Sequence, residues 1–446
     1  MSHKKVAIST LGCKVNQYET QAMLEMFEKE GYRAVDETDE TDVFVINTCT
    51  VTHTGDKKSR QLIRRALKKN PNAIIAVVGC YSQLEPEEVE SIDGVDVILG
   101  TRNRHRIVDA VESAMKSAEK TVDVNCYDKE HFYEPISIEK QSDMTRAYVK
   151  IQDGCNQYCS YCIIPYARGP VRSRRTDEII DEVKNLVNKG YQEVVLTGIH
   201  LTSFGKDKME PEALLGLLKK IDGINSLKRI RLGSLDPAWF NSETVAKLMS
   251  CNKLCHHFHL SLQSGSDRIL KKMNRQYDTN KYKDILKEIR KHDPDSAITT
   301  DIITGFPGET EKEFKETCRF LDENGFSEVH IFKYSPRKGT KAAEDPNQIS
   351  ENIKRERSEI LHEIVEKNKS EYMKRFVGKT VKVIFEQTSS EDPSLMIGHT
   401  AEYLKVKVVS DKDCLKKMRL VYISHQQDDY LFGNIIYDKE KQEICD

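Results

Sequence analysis

The sequence predicts an α/β protein in three parts: an N-terminal doubly wound parallel sheet, a central partial βα barrel and a small C-terminal β-barrel. Three observations predict it. Short apolar runs alternate with helical patterns from Lys4 to about Ala118. The same alternation resumes at Arg146 and continues to about Arg337, and beyond Gly378 only short strand patterns follow. Alternating strands and helices make parallel sheets with right-handed crossovers, whereas closely spaced strands alone make barrels. At 446 residues the chain exceeds one ordinary core. The expected domains are residues 1–118, a linker at 119–145, the barrel with a linking helix at 146–375, and the β domain at 376–446.

Composition narrows the classes. With 69 basic and 71 acidic residues the formal charge is −2, so any nucleic-acid contact must come from local patches. The N-terminus, Met1-Ser2-His3-Lys4-Lys5, runs into a short strand rather than an apolar signal core. Apolar runs such as Ala73 to Val78 are far too short to span a bilayer. The expectation is a cytoplasmic chain with no membrane contact, its 12 cysteines reduced and available as ligands or catalysts.

In the N-terminal part, Val6 to Leu11, Val43 to Asn47, Ala73 to Val78 and Val95 to Leu99 read as buried parallel strands. Helices are expected at Gln17 to Glu30, stopped by Gly31, at Lys57 to Lys69, and at Glu87 to Ile92. Cys13 follows the first strand, Cys49 the second and Cys80 the third. The strand ends of a parallel sheet share one edge, where ligand crevices form. Topology therefore gathers three thiols that are distant in sequence. Ser117 to Thr145 loses periodicity and reads as the linker, with Cys126 a bystander.

The segment Asp153-Gly154-Cys155-Asn156-Gln157-Tyr158-Cys159-Ser160-Tyr161-Cys162 places three more thiols on one loop. Soft thiolates select iron–sulfur clusters or zinc. A closed zinc site needs four ligands, and no fourth Cys or His follows within the loop. Three thiolates on a four-iron cluster leave one iron open as a binding position. A zinc knuckle with a distant fourth ligand is the alternative.

Around this loop, strands are expected at Ala147 to Ile151, Glu193 to Thr197, Arg229 to Leu232, Phe258 to Ser261, Ala297 to Ile303 and Glu328 to Phe332. On a βα barrel, chemistry sits at the C-terminal strand ends. Those ends carry Gly198 and His200, Ser234, the string Ser261-Leu262-Gln263-Ser264-Gly265-Ser266, and Asp301 before Thr304-Gly305-Phe306-Pro307-Gly308-Glu309-Thr310. Glycine and hydroxyl residues let backbone approach a ligand closely. His200 reads as structural, and Cys251, Cys255 and Cys318 lie away from these ends.

The C-x3-C-x2-C loop resembles that of the radical S-adenosylmethionine (SAM) enzymes. There SAM occupies the open iron, and an aromatic at the position of Tyr161 packs near its adenine. Leu11-Gly12-Cys13-Lys14-Val15-Asn16-Gln17-Tyr18-Glu19, Asn47-Thr48-Cys49-Thr50-Val51 and Val78-Gly79-Cys80 resemble the N-terminal domain of the methylthiotransferases. The Ser-Leu-Gln-Ser-Gly-Ser and Gly-Phe-Pro-Gly-Glu-Thr strings match the same family. Cys-Lys-Val-Asn-Gln-Tyr-Glu is similar to its MtaB-type tRNA branch. The C-terminal strands resemble the TRAM domain, an RNA-binding appendage.

The resemblance implies two [4Fe-4S] clusters, one on Cys13, Cys49 and Cys80 and one on Cys155, Cys159 and Cys162. It implies SAM as cofactor, with Tyr161, Gly198, Ser234, Gln263 and Asp301 as candidate contacts. It implies transfer of a methylthio group to ring carbon 2 of N6-threonylcarbamoyladenosine beside the anticodon of tRNA. An electron donor and a sulfur source, both unidentified, are implied too, and a monomer is expected. The alternatives are another tRNA adenosine, a ribosomal protein side chain, or a non-catalytic RNA-binding protein built on structural zinc.

Phosphate contacts would come from basic runs. Lys57, Lys58, Arg60, Arg64, Arg65, Lys68 and Lys69 load the second helix. Arg102, Arg104 and Arg106 follow the fourth strand, Arg168, Arg172, Arg174 and Arg175 follow the cysteine loop, and Lys405 to Arg419 carries a thinner run.

Overall fold

A computed structural model describes residues 3–117, 119–124, 132–141, 145–409 and 414–437. The first sheet holds β1 (Lys5–Thr10), β2 (Arg33–Ala34), β3 (Val43–Thr48), β4 (Ile74–Gly79), β5 (Val97–Leu99) and β6 (Thr121–Asp123), all parallel, in the order β2-β1-β3-β4-β5-β6. Every residue of β3 is buried, as its unbroken apolar run requires when helices cover both faces. Helices Lys14–Lys29 and Ile107–Ser117 pack one face, and His53–Lys69 packs the other.

The expected linker is more structured than its composition shows. Thr121–Asp123 pairs with β5 as the edge strand, and Ile136 and Ile138 join the core of the central domain. Cys126 lies outside the described residues.

The central part begins with β7 (Arg146–Asp153), against which β8 (Arg172–Ser173) runs antiparallel. Then come β9 (Glu193–Gly198), β10 (Arg229–Leu232), β11 (His257–His259), β12 (Ala297–Thr304) and β13 (Glu328–Lys333). They form two sheets, β10-β9-β7-β8 and β11-β12-β13, joined by parallel bridges from Ile230 to Leu254 and from Leu235 to Leu260. The parallel strands thus lie side by side in chain order as an open barrel, with outer helices at Thr176–Asn188, Ala213–Asp222, Ser242–Met249, Thr279–His292 and Glu311–Asn324. Thr310 and Glu313 form a capping box at the start of the last of these, satisfying two backbone donors at once.

The Glu351–Lys374 helix lies along this domain and leads to the last one. There β14 (Thr380–Thr388), β15 (Leu395–His399), β16 (Lys405–Val409), β17 (Met418–Gln427) and β18 (Tyr430–Ile435) close a barrel in the order β14-β15-β16-β18-β17. The sequence does not announce β15, because Ser394, Gly398 and His399 dilute its apolar signal.

Two junctions place the N-terminal domain across the open side of the barrel. Glu19, on the Lys14–Lys29 helix, meets Lys150 of β7 at 2.7 Å. Asp56, on the His53–Lys69 helix, meets Arg337 beyond β13 at 2.6 Å. The C-terminal barrel docks from another side: Arg229 and Arg231 of β10 donate to the backbone carbonyls of Lys382, His399, Thr400 and Ala401.

Candidate active site

The edge of the first sheet gathers its thiols through backbone ties made by the residues around them. Asn16 Nδ2 donates to the carbonyls of Leu11 and Thr48, at 2.7 and 3.0 Å, pinning the β1 end to the β3 end. Thr48 Oγ1 donates to Val78 of β4 and accepts from the Tyr81 amide, fixing the third end. Gly12 has φ +105°, and a Cβ there would stand 2.9 Å from Cys49 Sγ. A glycine is therefore needed for the Cys13 and Cys49 loops to close on one another. Burial grades across the set: Cys13 is exposed, Cys49 half-buried and Cys80 buried. Burial pushes the Cys80 thiol up to about 11 and raises Cys49 as well, so ligation there must release protons.

The second set sits at the C-terminal end of β7. Gly154 has φ +72°, and a Cβ there would lie 1.9 Å from the Pro170 carbonyl oxygen, so only glycine lets the loop turn under Pro170. The loop is tied down by Ser160 N–H to Met273, Ser160 Oγ to Lys272, and Asn274 Nδ2 to the carbonyls of Gln157 and Tyr158. Arg275 Nη1 donates to Cys159 Sγ at 3.2 Å, and its Nη2 pairs with Asp236 at 3.1 Å. Burial pushes Cys155 to about 11 and Cys162 to about 12.

The donor sets favour clusters over single ions. His259, Asp301 and His330 place one ligand atom each within 4.8 Å of one another, with no thiol among them. A closed structural zinc site takes four ligands, and each set here brings three thiols. Separate irons of a cluster take separate thiolates, so three thiols can serve one cluster.

One cavity of about 590 Å³ runs along the barrel interior. Its wall includes Gly12, Cys13 and Lys14 from the N-terminal domain, Cys155, Cys159, Tyr161 and Cys162 from the loop, and Tyr403 from the C-terminal barrel. Gly198, Ser234, Gln263 and Asp301 line it as well. A second cavity of about 230 Å³ adjoins it, sharing Tyr161, Gln263 and Asp301. Tyr161 stacks edge-on against Phe306 at 6.5 Å. Gln263 sits at φ +72°, held because its amide donates to Asp301 O and its carbonyl accepts from Ile303.

Several wall residues carry no sequence signal. Asp236 binds both Arg275 and His200, the latter at 3.2 Å, and His200, read from its strand end as structural, lies in the wall. His259 Nε2 meets Asp301 at 3.1 Å. Tyr403 reaches in beside His257 at 5.3 Å, with Arg146 and Arg231 over its ring. The nearest signal is the periodicity of β11 and β12, which puts His257, His259, Thr299 and Asp301 on one face.

The basic runs divide. Lys57, Lys58, Arg64, Arg65, Lys68 and Lys69 are exposed on the His53–Lys69 helix. Arg60 is half-buried and spends its guanidinium on Glu88 and Tyr81. Arg172 and Arg174, expected to face phosphates, are instead buried, at 2 % and 5 % exposure. Arg172 donates to the carbonyls of Arg168 and Pro170, and Arg174 pairs with Glu182 at 2.7 Å. Arg168 and Arg104 are fully buried between the domains, on Glu19, Asp153 and Glu134. Lys412 lies outside the described residues.

Comparison with known proteins meets the same division of the chain. Residues 149–321 match the Radical SAM superfamily, and residues 5–100 match Uncharacterized protein family UPF0004. In fold, the chain is similar to the radical SAM methyltransferase TsrM of Kitasatospora setae, with TM-score 0.58 at 14 % identity over 77 % of each chain. The threonylcarbamoyladenosine tRNA methylthiotransferase MtaB of Bacillus subtilis is 41 % identical over 94 % of this chain and 93 % of its own. Its namesake from Aquifex aeolicus is 39 % identical over 94 % of this chain and 100 % of its own. A tRNA-2-methylthio-N(6)-dimethylallyladenosine synthase of Clostridium perfringens is 34 % identical over 98 % of both. Such identity over nearly full length leaves one account of a chain that carries thiols at a sheet edge and again at a barrel mouth: it belongs to the radical SAM methylthiotransferase family.

Proposed function

We propose that this enzyme transfers a methylthio group to ring carbon 2 of N6-threonylcarbamoyladenosine beside the anticodon of tRNA. The observation that carries the reading is the single cavity whose wall takes Cys13 from one thiol set and Cys155, Cys159 and Cys162 from the other. Cys155, Cys159 and Cys162 would hold one [4Fe-4S] cluster, with SAM beside it, and Cys13, Cys49 and Cys80 would hold a second. Bound there, these groups would supply the radical chemistry, the sulfur and, from a second SAM, the methyl group.

The chain's own residues bind, orient and screen. Tyr161, Gln263 and Asp301 border both cavities, where an adenosyl group and its amino-acid end would lie together. Gly198 and Ser234 offer backbone and hydroxyl in the wall of the larger cavity. Arg275 donates to Cys159 Sγ while Asp236 holds its fork in place, which fixes the orientation of that side of the loop. A nucleotide bound over the opening would keep water from the chemistry inside. Outside, Lys57, Arg64 and Arg65 hold phosphates of the anticodon arm, and a loop nucleotide splayed from its neighbours enters the cavity. Among the described residues no helix is long and apolar enough to cross a membrane. The proposal takes the enzyme as a cytoplasmic monomer served by an electron donor and a sulfur source that remain to be identified.

Nucleoside mass spectrometry of tRNA from cells lacking the protein tests the reading. The methylthio form of threonylcarbamoyladenosine should vanish, its unthiolated precursor should accumulate, and the intact gene should restore it. Unchanged threonylcarbamoyladenosine with loss of methylthio-dimethylallyladenosine would assign the chain to the activity its Clostridium relatives are named for.

A further inference from the structure

We propose that Lys14 determines substrate choice by pairing its ammonium with the carboxylate of the threonylcarbamoyl side chain. The inference rests on the substrate named above and adds the residue that recognises it. Among the described residues, Lys14 and Arg275 are the lysines and arginines in the wall of the 590 Å³ cavity. Arg275 is committed to Asp236, Cys159 and Tyr277. Lys14 has no hydrogen-bond or ion-pair partner among the described residues, although it leads a helix whose neighbouring polar groups Asn16 and Glu19 are fully engaged.

The surroundings raise the value of an anion there. Tyr403, Arg146 and Arg231 face Lys14, and the carboxylate acting most on it, Glu193, already serves Arg231 at 2.7 Å and Arg229 at 3.6 Å. Arg146 is likewise taken by Glu386 at 3.1 Å. Lys14 is exposed on the cavity wall, and a nucleoside bound over it would cover an uncompensated ammonium at a cost unless the ligand supplies its partner. Of the groups on the proposed nucleoside, the threonyl carboxylate is the one that carries a full negative charge away from the phosphate backbone. The remaining acids in the wall do not neutralise Lys14: Asp236 and Asp301 are paired with Arg275 and His259, and Glu328 acts on it less than Glu193 does. Position fits as well, since Lys14 adjoins Cys13, so a carboxylate held there keeps the base close to the sheet-edge thiols.

The test uses cluster-loaded full-length protein and anticodon stem-loop RNAs carrying threonylcarbamoyladenosine, its carboxyl methyl ester, or dimethylallyladenosine. Wild type should prefer the free acid to the ester by about a hundredfold in kcat/KM, the size expected when a desolvated charge pair loses one partner. Equal rates on acid and ester would overturn the proposal without any variant. In Lys14→Met that preference should collapse to within about threefold, and Lys14→Arg should restore most of it. Stem-loop binding, measured without reductant, should show the same loss of preference, with iron content recorded for each protein. A Lys14→Met protein that keeps the wild-type preference overturns the role of Lys14 alone. A wild-type enzyme inactive on the threonylcarbamoyl RNA but active on the dimethylallyl RNA overturns the substrate assignment, and the Lys14 proposal with it.

Discussion

Arg168 Nε donates to Cys80 Sγ at 3.3 Å, joining a residue just past the barrel loop to the last thiol of the sheet edge, 88 positions earlier in the chain. The same guanidinium reaches Glu19 at 2.7 Å, Asp153 at 3.1 Å and Asn16 at 2.7 Å. Lys150 and Arg104 complete a buried network in which Glu19 and Asp153 are shared by several cations. One side chain thus ties together the two thiol-bearing domains and touches a thiol itself. Removing it leaves buried carboxylates short of a partner. Arg168→Met should cost about 3–5 kcal/mol of stability, and Arg168→Lys should recover part of it, because a point charge replaces a fork. Thermal unfolding of the three proteins checks this. Equal midpoints would mean that the interface is held by packing alone.

The network also has a pH signature. Burial alone would raise the Glu134 carboxyl, but Arg104 and the His105 hydrogen bond hold it down to about 2. Its folded value lies below the unfolded one of about 4.3. The stabilisation is therefore present above about pH 4.3 and lost as pH falls through that window toward 2. Glu19 and Asp153 are lowered too, against burial, by Arg104, Arg168 and Lys150. Unfolding midpoints should drop steeply below about pH 4.5 in wild type. Glu134→Gln should be less stable at neutral pH, with a shallower acid slope; a parallel curve would show that Glu134 does not contribute.

The thiol sets predict separable losses. Cys155→Ala, Cys159→Ala or Cys162→Ala should abolish SAM cleavage yet leave about half the wild-type iron after anaerobic reconstitution, because each set lies on its own domain. Cys49→Ala should still yield 5′-deoxyadenosine but no methylthio product. Loss of all iron from any one substitution would contradict two independent sites.

Much of this architecture is legible in sequence, and the failures share a cause. Every strand expected for the first sheet and the barrel exists, because buried parallel strands announce themselves as apolar runs, and the cysteines follow from strand ends. Side-chain pairing across domains does not announce itself. Arg104, Arg172 and Arg174 look like neighbours of Lys57 and Arg64 in any count of basic residues. They differ because Glu134, Asp153 and Glu182 fold back onto them from elsewhere in the chain. Tyr403 is equally hidden, since its place in the cavity depends on how one domain docks on another.

Six bases stay exposed on the His53–Lys69 helix after that correction. Thr52 caps it through the Gly55 amide, just past the strand end that carries Cys49, so its bases stand beside the thiol edge. Phosphate contacts release counterions, so they weaken with salt and depend little on base sequence. Arg64 and Arg65 are exposed, with no ion pair among the described residues. Changing both to Glu should weaken tRNA binding and reduce the log–log salt slope by about one unit for each phosphate no longer neutralised. Arg60→Ala should act differently: its guanidinium already pairs with Glu88, so binding should change little while the helix loses a surface tie of roughly 0.2–1 kcal/mol. Titrations of tRNA at several salt concentrations, on wild type and both variants, separate the two roles. If the double variant binds with wild-type affinity and slope, the helix is only a solvated face. The polymer must then be held by the C-terminal barrel, where Lys405 and Lys407 stand over the Tyr430 ring.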